Sequence, residues 1–270
     1  MKPVSKTAFY CCGVRALDAR APRPVCGDHL AERFMDDEAW ASWAPFAETK
    51  PANASNVARH RIIDDLLRAR LADDPAHRVV TIGAGFDTRP YRLRGGRWLE
   101  WDEPLLMGFK EERLPARESP NPLERQAIDF GSESLAERLR PYATDEAVTV
   151  VVEGVMMYLT TEQVRALTHA VRATFPRVTL LTDLMTYAFF QKYGQPVYQH
   201  LHALGATFVL APEHPRELIQ KAGFRALGSH SMIERAVREK AFPWLVPSWA
   251  LKLFLRTMRD GYAVWEFQAP

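Results

Sequence analysis

The sequence predicts an α/β protein with a doubly wound, mostly parallel sheet. Apolar segments typical of strands alternate with segments of helical periodicity along most of the 270 residues. One of them, AVTVVVEGVMMYL, is nearly continuous in valine, as expected for a strand buried on both faces of a sheet. Another, RVVTIGAGFDTRPYRL (residues 78–93), runs from an apolar strand through a glycine turn into the start of a helix.

The first sixty residues show helical spacing interrupted by prolines and predict a helical cap or lid, with Trp40, Trp43 and Phe46 covering an apolar surface. The segment NVARHRIIDDLLRARLADD predicts an amphipathic helix that Asn53 or Ser55 caps. Its expected apolar face consists of Val57, Ile62, Ile63, Leu66, Leu67 and Leu71. Four strands are then predicted, in VVTIG, RWLEW, RQAIDF and AVTVVVEGVMMYL.

The second half of the chain continues this alternation. TTEQVRALTHAVRATF predicts a helix opened by Thr160 or Thr161, and RVTLLTDL predicts a fifth strand. A helix, a stop at Gly223 and a sixth strand follow, and YAVWEFQ predicts the seventh strand. An aromatic segment with Phe189, Phe190, Tyr193 and Tyr198 either lines a substrate pocket or fills a core, and WLVPSWALKLFL (residues 244–255) predicts a helix over an active site or a partner surface.

Composition narrows the class of protein. Hydrophobic residues make up 47% of the chain and charged residues 25%, as in ordinary globular proteins. A net charge of +2 argues against general affinity for nucleic acid or anionic membranes. Three cysteines without metal-type spacing, and no apolar run of membrane-spanning length, indicate a reduced, cytoplasmic location with Cys11 and Cys12 as buried apolar residues. His60 and the other histidines show no metal-binding spacing, and a G-x-S-x-G nucleophile turn is absent.

The glycine turn indicates a cofactor without phosphate. For NAD or FAD, the third glycine of G-x-G-x-x-G falls at Thr88, and Asp87 stands where a pyrophosphate needs positive potential. S-adenosylmethionine carries a sulfonium cation, an adenosine and an amino-acid tail, none of which a carboxylate repels. Gly83 and Gly85 let the backbone turn tightly beside such a ligand, although a turn of this kind also occurs as a simple connection.

Polar residues end the next three predicted strands. Asp102 follows Gly83 by 19 positions (102 − 83), close to the roughly 20-residue spacing of a ribose-binding acid. Asp129 and Phe130 end the third strand and are candidates to contact adenine, although Asp129 could instead cap a helix. Glu153 ends the valine strand, where an ammonium or sulfonium, or a structural ion pair, would compensate its burial.

One cation precedes the first strand. Arg59 lies on the amphipathic helix, where it could bind the carboxylate of an amino-acid cofactor through two hydrogen bonds. For the strand-end acids Glu100 and Asp102, the alternative to a binding role is simple exposure to solvent.

The chain resembles the leucine carboxyl methyltransferase family of class I S-adenosylmethionine enzymes, and within it the bacterial branch with tetracenomycin-type polyketide O-methyltransferases. The resemblance covers roughly residues 59–164, with a looser match in KTAFYCCGVRAL and DHLAERFM. It rests on ARHRIIDDLL, GAGFDTRPYRL, LEWDEPLLMGFKEERL, AIDF and VVEGVMMYLTTEQV. Thr81 stands where many other class I methyltransferases have an acid, two positions before the first glycine. Trp101 and Glu103, beside the expected ribose pocket, stand where the family usually has apolar residues.

The resemblance implies a Rossmann-like, seven-stranded sheet whose last strand is antiparallel, with S-adenosyl-L-methionine as cofactor and S-adenosyl-L-homocysteine as product. By resemblance, Arg59 holds the cofactor carboxylate, Asp102 binds ribose, and Tyr158 lies near the methyl group. The further residues implied are Gly83, Ala84, Gly85 and Asp87 in the turn, Asp129 and Phe130 at adenine, and Glu153 at the methionine part and the reacting end.

The expected function is therefore O-methylation of a carboxylate or hydroxyl on a small molecule, with no metal, nucleic acid or stable membrane partner. A carboxylate acceptor needs no general base, whereas a hydroxyl acceptor does. The rivals are an NAD-dependent oxidoreductase and a non-catalytic protein of the same fold. One domain over residues 1–270 is expected, divided into a cap (1–56), a cofactor-binding core (57–185) and a substrate side with the last two strands (186–270). The oligomeric state and the substrate stay open.

Overall fold

The computed structural model describes residues 2–209, 214–242, 249, 251 and 255–269. Seven strands form one sheet, which confirms the predicted α/β class. They are β1 (Arg78–Ile82), β2 (Arg97–Asp102), β3 (Leu123–Ala127), β4 (Val148–Val152), β5 (Val178–Met185), β6 (Arg225–Ser231) and β7 (Tyr262–Gln268).

Helices surround this sheet and form most of the N-terminal region. The α-helices in the described ranges are α1 (Pro3–Ala19), α2 (Asp37–Trp43), α3 (Lys50–Asp73), α4 (Arg89–Arg92), α5 (Pro104–Arg113), α6 (Leu135–Leu139), α7 (Thr161–Thr174), α8 (Tyr187–Phe189), α9 (Gln195–Ala203), α10 (Pro215–Lys221), α11 (Met232–Arg238) and α12 (Arg256–Asp260). A π-helical segment, Phe190–Gly194, joins α8 to α9. Among the residues the structure describes, no helix combines the length and apolarity needed to cross a bilayer.

The strand order is β3-β2-β1-β4-β5-β7-β6. β1 pairs in parallel with both β2 and β4, so the order reverses between β1 and β4. Ligands of open α/β sheets bind at the carboxyl ends of the strands beside such a reversal. β7 lies between β5 and β6 and is antiparallel to both, as predicted.

The sheet is buried on both faces. Val80, Val150 and Val152 point into a core that α6, α7 and α10 cover. Val79 and Val151 point to the opposite face, where α3 and α11 pack. Because neighbouring side chains of a strand point to opposite faces, the valines of β4, interrupted only by the buried Thr149, serve both cores.

The observed N-terminal cap agrees with the prediction for α7 and disagrees with it for α3. Thr160 caps α7, and its hydroxyl accepts from the Gln163 amide while the Gln163 side chain accepts from the Thr160 amide. The prediction for α3 was wrong, since this helix begins at Lys50 and Asn53 and Ser55 lie inside it. Pro51 in the first turn lets the helix start earlier, because proline fits the first turn without needing its missing N–H.

Strand β3 also differs from its predicted position. It begins at Leu123, before the predicted segment, and ends at Ala127. Asp129 and Phe130 therefore lie in the turn after the strand. Asp129 does not cap a helix, because Ser134 caps α6 and accepts from the Glu137 amide.

The N-terminal cap packs on the glycine turn. Phe34 of the cap stacks on Phe86, with ring centroids 4.7 Å apart. Cys12 and Ala16 of α1 are buried in the same cluster, together with Leu106 of α5. The cap is thereby fixed directly over the ends of the central strands. Most of residues 244–255, for which a covering helix is predicted, lie outside the described residues.

Candidate functional site

A cavity of about 740 Å³ lies at the carboxyl ends of β1, β2 and β4. We call it the first cavity. Its floor is formed by the glycine turn (residues 83–87), Asp102 and Glu153, and its roof by residues of α1 that include Thr7, Cys11 and Arg15. It therefore collects the ends of three predicted strands, with the cap above them.

The glycine turn uses its amides within the protein. Gly83 and Gly85 have φ values of +72° and +48°, in the left-handed region that favours glycine. The Gly83 and Ala84 amides both donate to the Trp101 carbonyl, at 2.9 and 3.0 Å. The Gly85 amide donates to Asp102 Oδ2 at 2.6 Å. These three amides are unavailable to a pyrophosphate, which binds dinucleotide turns through such groups.

Asp102 lies on the cavity wall with only 8% of its surface exposed. Its two oxygens accept from the amides of Gly85 and Glu103, at 2.6 and 2.7 Å. A carboxylate oxygen accepts more than one hydrogen bond, so both can also accept from a diol. Burial raises the pKa of Asp102 to about 6. Simple exposure is excluded for both strand-end acids, since Glu100 is fully buried between Lys110 and Arg125.

Asp129 and Phe130 lie at the mouth of the first cavity. Phe130 lines it and is 38% exposed. The Asp129 carboxylate accepts from Lys2 Nζ at 2.5 Å and from the Gly131 amide at 2.9 Å. Lys2 also contacts Glu103 at 2.8 Å, so it bridges two acids across the mouth. These hydrogen bonds, with that of Lys2 foremost, lower the pKa of Asp129 to about 2.

Glu153 is the centre of a buried ion-pair network. Its Oε1 lies 3.0 Å from Arg59 Nε, and its Oε2 lies 2.8 Å from Arg89 Nη2. Burial alone would raise the pKa of Glu153, but the charges of Arg89 and Arg59 outweigh it and hold the pKa well below its usual value. Glu153 thus forms the structural ion pair considered from the sequence, and it forms it on the cavity wall.

Asp87 serves the same network through Arg89. Its carboxylate accepts from the amide and from Nη1 of Arg89, at 2.8 and 2.7 Å. Arg89 is 1% exposed and also contacts Asp64 at 2.7 Å. The acid at the end of the glycine turn therefore fixes a buried arginine, and this arginine in turn holds Glu153.

His60 lies within the network rather than at the surface. Its two ring nitrogens are each 2.7 Å from an arginine nitrogen, one of Arg89 and one of Arg92. Burial and the charge of Arg89 lower the pKa of His60. The imidazole is consequently neutral near pH 7.

Arg59 has most of its donors occupied. Its Nε donates to Glu153, Nη1 donates to Asp183 and Tyr262 at 3.1 Å each, and Nη2 donates to Cys11 Sγ at 3.6 Å. Four of its N–H groups have partners among the described residues, and a guanidinium has five. One N–H of Arg59 therefore remains for a ligand carboxylate. To donate two hydrogen bonds to that carboxylate, Arg59 would have to release one of its present partners.

A second cavity of about 360 Å³ adjoins the first. Its walls are mainly aromatic and apolar, with Phe189, Tyr193, Phe208 and Met157 among them. The aromatic segment after β5 therefore lines a cavity and also packs, since Phe189 belongs to a buried cluster. The two cavities have a common set of residues that we call the shared wall: Thr7, Cys11, Arg59, Gly154 and Tyr158.

Several residues of this site were missed or misjudged from the sequence. Cys11 was wrongly predicted to be buried apolar filler, because its Sγ accepts from Asn56 Nδ2 at 3.1 Å and lies on the shared wall. Asp183 and Tyr262 were not predicted at all. An acid within the apolar strand VTLLTDLM is the one local signal for Asp183.

Comparison with known proteins identifies the family. The model of the leucine carboxyl methyltransferase family matches residues 8–172. The chain belongs to this family. The predicted family is confirmed.

Individual members of the family resemble the chain over part of their length. A protein of Mycolicibacterium smegmatis with the provisional name S-adenosyl-L-methionine-dependent methyltransferase is 30% identical over 174 residues. A protein of Parafrankia sp. with the same provisional name is 31% identical over 193 residues. These matches cover 58% and 64% of this chain, and the chain spans only 58% and 60% of the length of these two relatives.

Solved structures confirm the class I methyltransferase fold. A DUF574 family protein from Streptomyces avermitilis superposes with a TM-score of 0.60 at 15% identity, over 87% of this chain and 91% of that chain. A magnesium protoporphyrin IX methyltransferase from Synechocystis with bound SAH superposes with a TM-score of 0.52 at 14% identity, over 88% of this chain and 96% of that chain. At such low identity the likeness concerns the fold.

Proposed function

We propose that this family member is an S-adenosylmethionine-dependent O-methyltransferase that methylates a carboxylate or hydroxyl of a small molecule. The observation that carries the proposal is the pair of adjoining cavities with one shared wall. The first cavity has the polar strand ends expected for a nucleoside-containing cofactor, and the second is apolar, as small-molecule pockets of ~300–1,000 Å³ commonly are.

The charges of the first cavity fit this cofactor better than NAD. Its described lining contains five acids, Asp87, Asp102, Glu103, Glu133 and Glu153. The lining cations are Lys2, Arg15 and Arg59, because His60 is neutral. A net negative lining repels a pyrophosphate and attracts the net positive S-adenosylmethionine. The occupied amides of the glycine turn argue against NAD independently.

Each cofactor contact is assigned to residues that line the first cavity, or, for Asp129, to a neighbour of the lining residue Phe130. Asp102 would accept from the ribose hydroxyls, and Phe130 and Asp129 would contact adenine at the mouth. Gly83, Ala84 and Gly85 would let the backbone pass close to the ligand, with Asp87 holding the turn through Arg89. Arg59 would donate its remaining N–H to the amino-acid carboxylate, and Glu153 would face the ammonium or sulfonium.

The bound cofactor would supply an electrophilic methyl group carried on a sulfonium. The shared wall would align an acceptor oxygen with that group and exclude water from the junction, since alignment contributes much of the rate in such displacements. Burial raises the pKa of Tyr158 far above neutral pH, and its side chain is hydrogen-bonded to Thr7. Tyr158 would therefore donate a hydrogen bond to orient the acceptor rather than remove its proton.

We also propose that three consecutive segments of a single domain have different roles. Residues 1–56 would act as the cap, residues 57–185 as the cofactor-binding core, and residues 186–270 as the substrate side. Of the last group, Phe189, Tyr193 and Tyr262 line the second cavity, whereas Thr7 and Cys11 bring the cap to the shared wall.

Calorimetric titration tests the cofactor directly. We expect heat of binding with S-adenosylmethionine and none with NAD. Incubation of the protein with carboxylated and hydroxylated metabolites, followed by mass spectrometry, should then show a methyl-mass increment on one class. Absence of heat with S-adenosylmethionine would overturn the proposal, and heat with NAD alone would restore the oxidoreductase alternative.

A further inference from the structure

The buried polar groups that line the second cavity make nearly all their hydrogen bonds within the protein. The Tyr10 hydroxyl donates to Asn53 Oδ1 at 3.1 Å, and Tyr262 donates to Asp183 Oδ2 at 2.6 Å. The Ser55 hydroxyl donates to the Pro51 carbonyl at 2.8 Å. These groups have no need of a ligand.

Asn56 is the exception among them. This residue lines the second cavity and is 7% exposed, and its Nδ2 donates to Cys11 Sγ. Its Oδ1 is buried and has no hydrogen-bond partner within the described part of the chain. A buried carbonyl oxygen without a partner is unfavourable, so native structures rarely keep one without a reason.

The position of Asn56 relates it to the acceptor rather than to the cofactor. It lies on α3 three residues before Arg59, so the two residues lie on neighbouring turns of one helix face, about 4.5 Å apart along the axis. Arg59 belongs to the shared wall, whereas Asn56 lines the second cavity alone. A molecule that fills the second cavity as far as the shared wall would therefore lie against the residue Asn56.

We propose that Asn56 selects the methyl acceptor by hydrogen bonding to a hydroxyl group on it other than the group that is methylated. This inference rests on the proposed function, which makes the second cavity the acceptor site. A hydroxyl satisfies the amide in either orientation, because it donates to Oδ1 and accepts from Nδ2. The surrounding apolar walls take the rest of an otherwise hydrophobic molecule.

The cationic side chains that line the second cavity favour a neutral ligand group beside Asn56. The cationic side chains in its described lining are Arg59, which is paired with Glu153 and Asp183, and Lys192, which is exposed. Arg59 is therefore not free to neutralise a carboxylate beside the buried Asn56, and burying a carboxylate without a paired cation is costly. A hydroxyl carries no such penalty.

The test uses dihydroxynaphthalene isomers and 2-naphthol as probes, titrated calorimetrically without S-adenosylmethionine. We expect at least one isomer to bind the wild-type protein about tenfold more tightly than 2-naphthol, the ratio for one net hydrogen bond. In Asn56→Leu this ratio should fall to about one, because leucine keeps the approximate size and removes the amide. Asn56→Ala should give the same loss, and it serves if the leucine variant does not fold.

Ser55→Ala is the matched control. It removes a neighbouring polar group from the same cavity, but one whose hydrogen bond is made within its own helix, so the tenfold preference should persist. Equal binding of all isomers and 2-naphthol to the wild-type protein would overturn the inference. An unchanged preference in both Asn56 variants would overturn it as well.

These titrations are separable from the test of the proposed function. They contain no methyl donor. Failure of S-adenosylmethionine to bind would therefore count against the proposed function, while the effect of Asn56 on binding of the naphthols could still be measured. With the donor present, the preference should reappear as a ratio of KM values, with kcat similar for the two Asn56 variants.

Discussion

Asp102 ties cofactor binding to pH. Its carboxylate is buried at the end of β2 with two amide hydrogen bonds, and burial still raises its pKa to about 6. Ribose hydroxyls donate to the ionised form, so binding and ionisation favour each other. Protonation of Asp102 below about pH 6 removes a hydrogen-bond acceptor that the ligand needs, so low pH weakens binding.

We predict that the affinity for S-adenosylmethionine falls as the pH drops from 7 to 5. Asp102→Asn should weaken binding by about 1–3 kcal/mol at pH 7, the range for losing a charged hydrogen-bond partner. The variant should also lose most of the pH dependence. Calorimetry at several pH values checks both effects, and a flat wild-type profile would contradict the assignment of Asp102 to ribose.

Glu153 affects stability as well as binding, because two buried arginines depend on it. Glu153→Gln leaves Arg59 and Arg89 each without one anionic partner. Removing one member of a buried ion pair costs about 3–5 kcal/mol, so we expect a loss of this size in the free energy of unfolding. Urea denaturation at pH 7 measures it, with Glu112→Gln as an exposed control that should change little.

The pH dependence of this effect has a defined direction. The folded-state pKa of Glu153 lies well below the ordinary 4.5. Its stabilising contribution is therefore complete above pH 4.5 and is lost as the pH falls toward the folded-state pKa. The difference between wild type and Glu153→Gln should shrink at low pH. A difference that grows on acidification would show that the ion pairs are not its source.

At the scale of elements, the glycine turn at the end of β1 packs against the loop that follows β4. A Cβ added to Gly83 would lie 2.5 Å from Val155 Cγ2, and the φ of +72° disfavours any side chain. We predict that Gly83→Ala lowers stability and that Val155→Ala in the same chain restores only part of it, because the backbone strain remains. Thermal unfolding measures both variants.

Gly108 provides the matched control for this prediction. It lies inside α5, and a Cβ added there meets no atom within 4 Å. Gly108→Ala should therefore raise stability by about 0.5–1 kcal/mol through helix propensity. If both alanine variants behaved alike, the close approach of Val155 to the turn would not matter.

Elements with a strong local pattern could be predicted from the sequence, and elements set by distant contacts could not. The valine run of β4 and the capping box of α7 have local causes. The polar strand β3 has no clear alternation, so its start at Leu123 was missed; it is fixed by pairing with β2. Residues at the ends of β1, β2 and β4 were predicted to meet because parallel strands share one edge.

The rest of the site depends on contacts that the sequence does not encode locally. Arg59 meets Asp183 across 124 positions and Tyr262 across 203. Nothing near Asn56 shows that its side-chain oxygen lacks a partner. Burial of Arg89 among three acids is likewise visible only in the assembled fold.

At the scale of the whole molecule, α1 closes both cavities at once. Thr7 and Cys11 stand on the shared wall, and Arg15 donates to the Phe86 carbonyl at 2.7 Å and to Asp28 at 2.9 Å. Lys2 adds ion pairs to Glu103 and Asp129 at the mouth of the first cavity. A cofactor that enters by this mouth would pass these contacts.

We predict that Lys2→Ala increases both the association and the dissociation rate of S-adenosylmethionine. Stability should change by less than about 1 kcal/mol, because exposed ion pairs contribute little. Stopped-flow tryptophan fluorescence measures the rates, with Lys6→Ala as a control at an exposed position in the first turn of α1. Unchanged rates in Lys2→Ala would mean that another contact limits access to the cavity.

The antiparallel insertion of β7 affects the order in which parts of the site can form during synthesis. A ribosome delivers residues 8–172, the part that identifies the family, before it delivers Asp183 and Tyr262. Until β7 is inserted between β5 and β6, the Arg59 guanidinium lacks its tyrosine partner and the second cavity lacks a wall. A nascent chain could thus possess the whole family signature and still be unable to hold an acceptor.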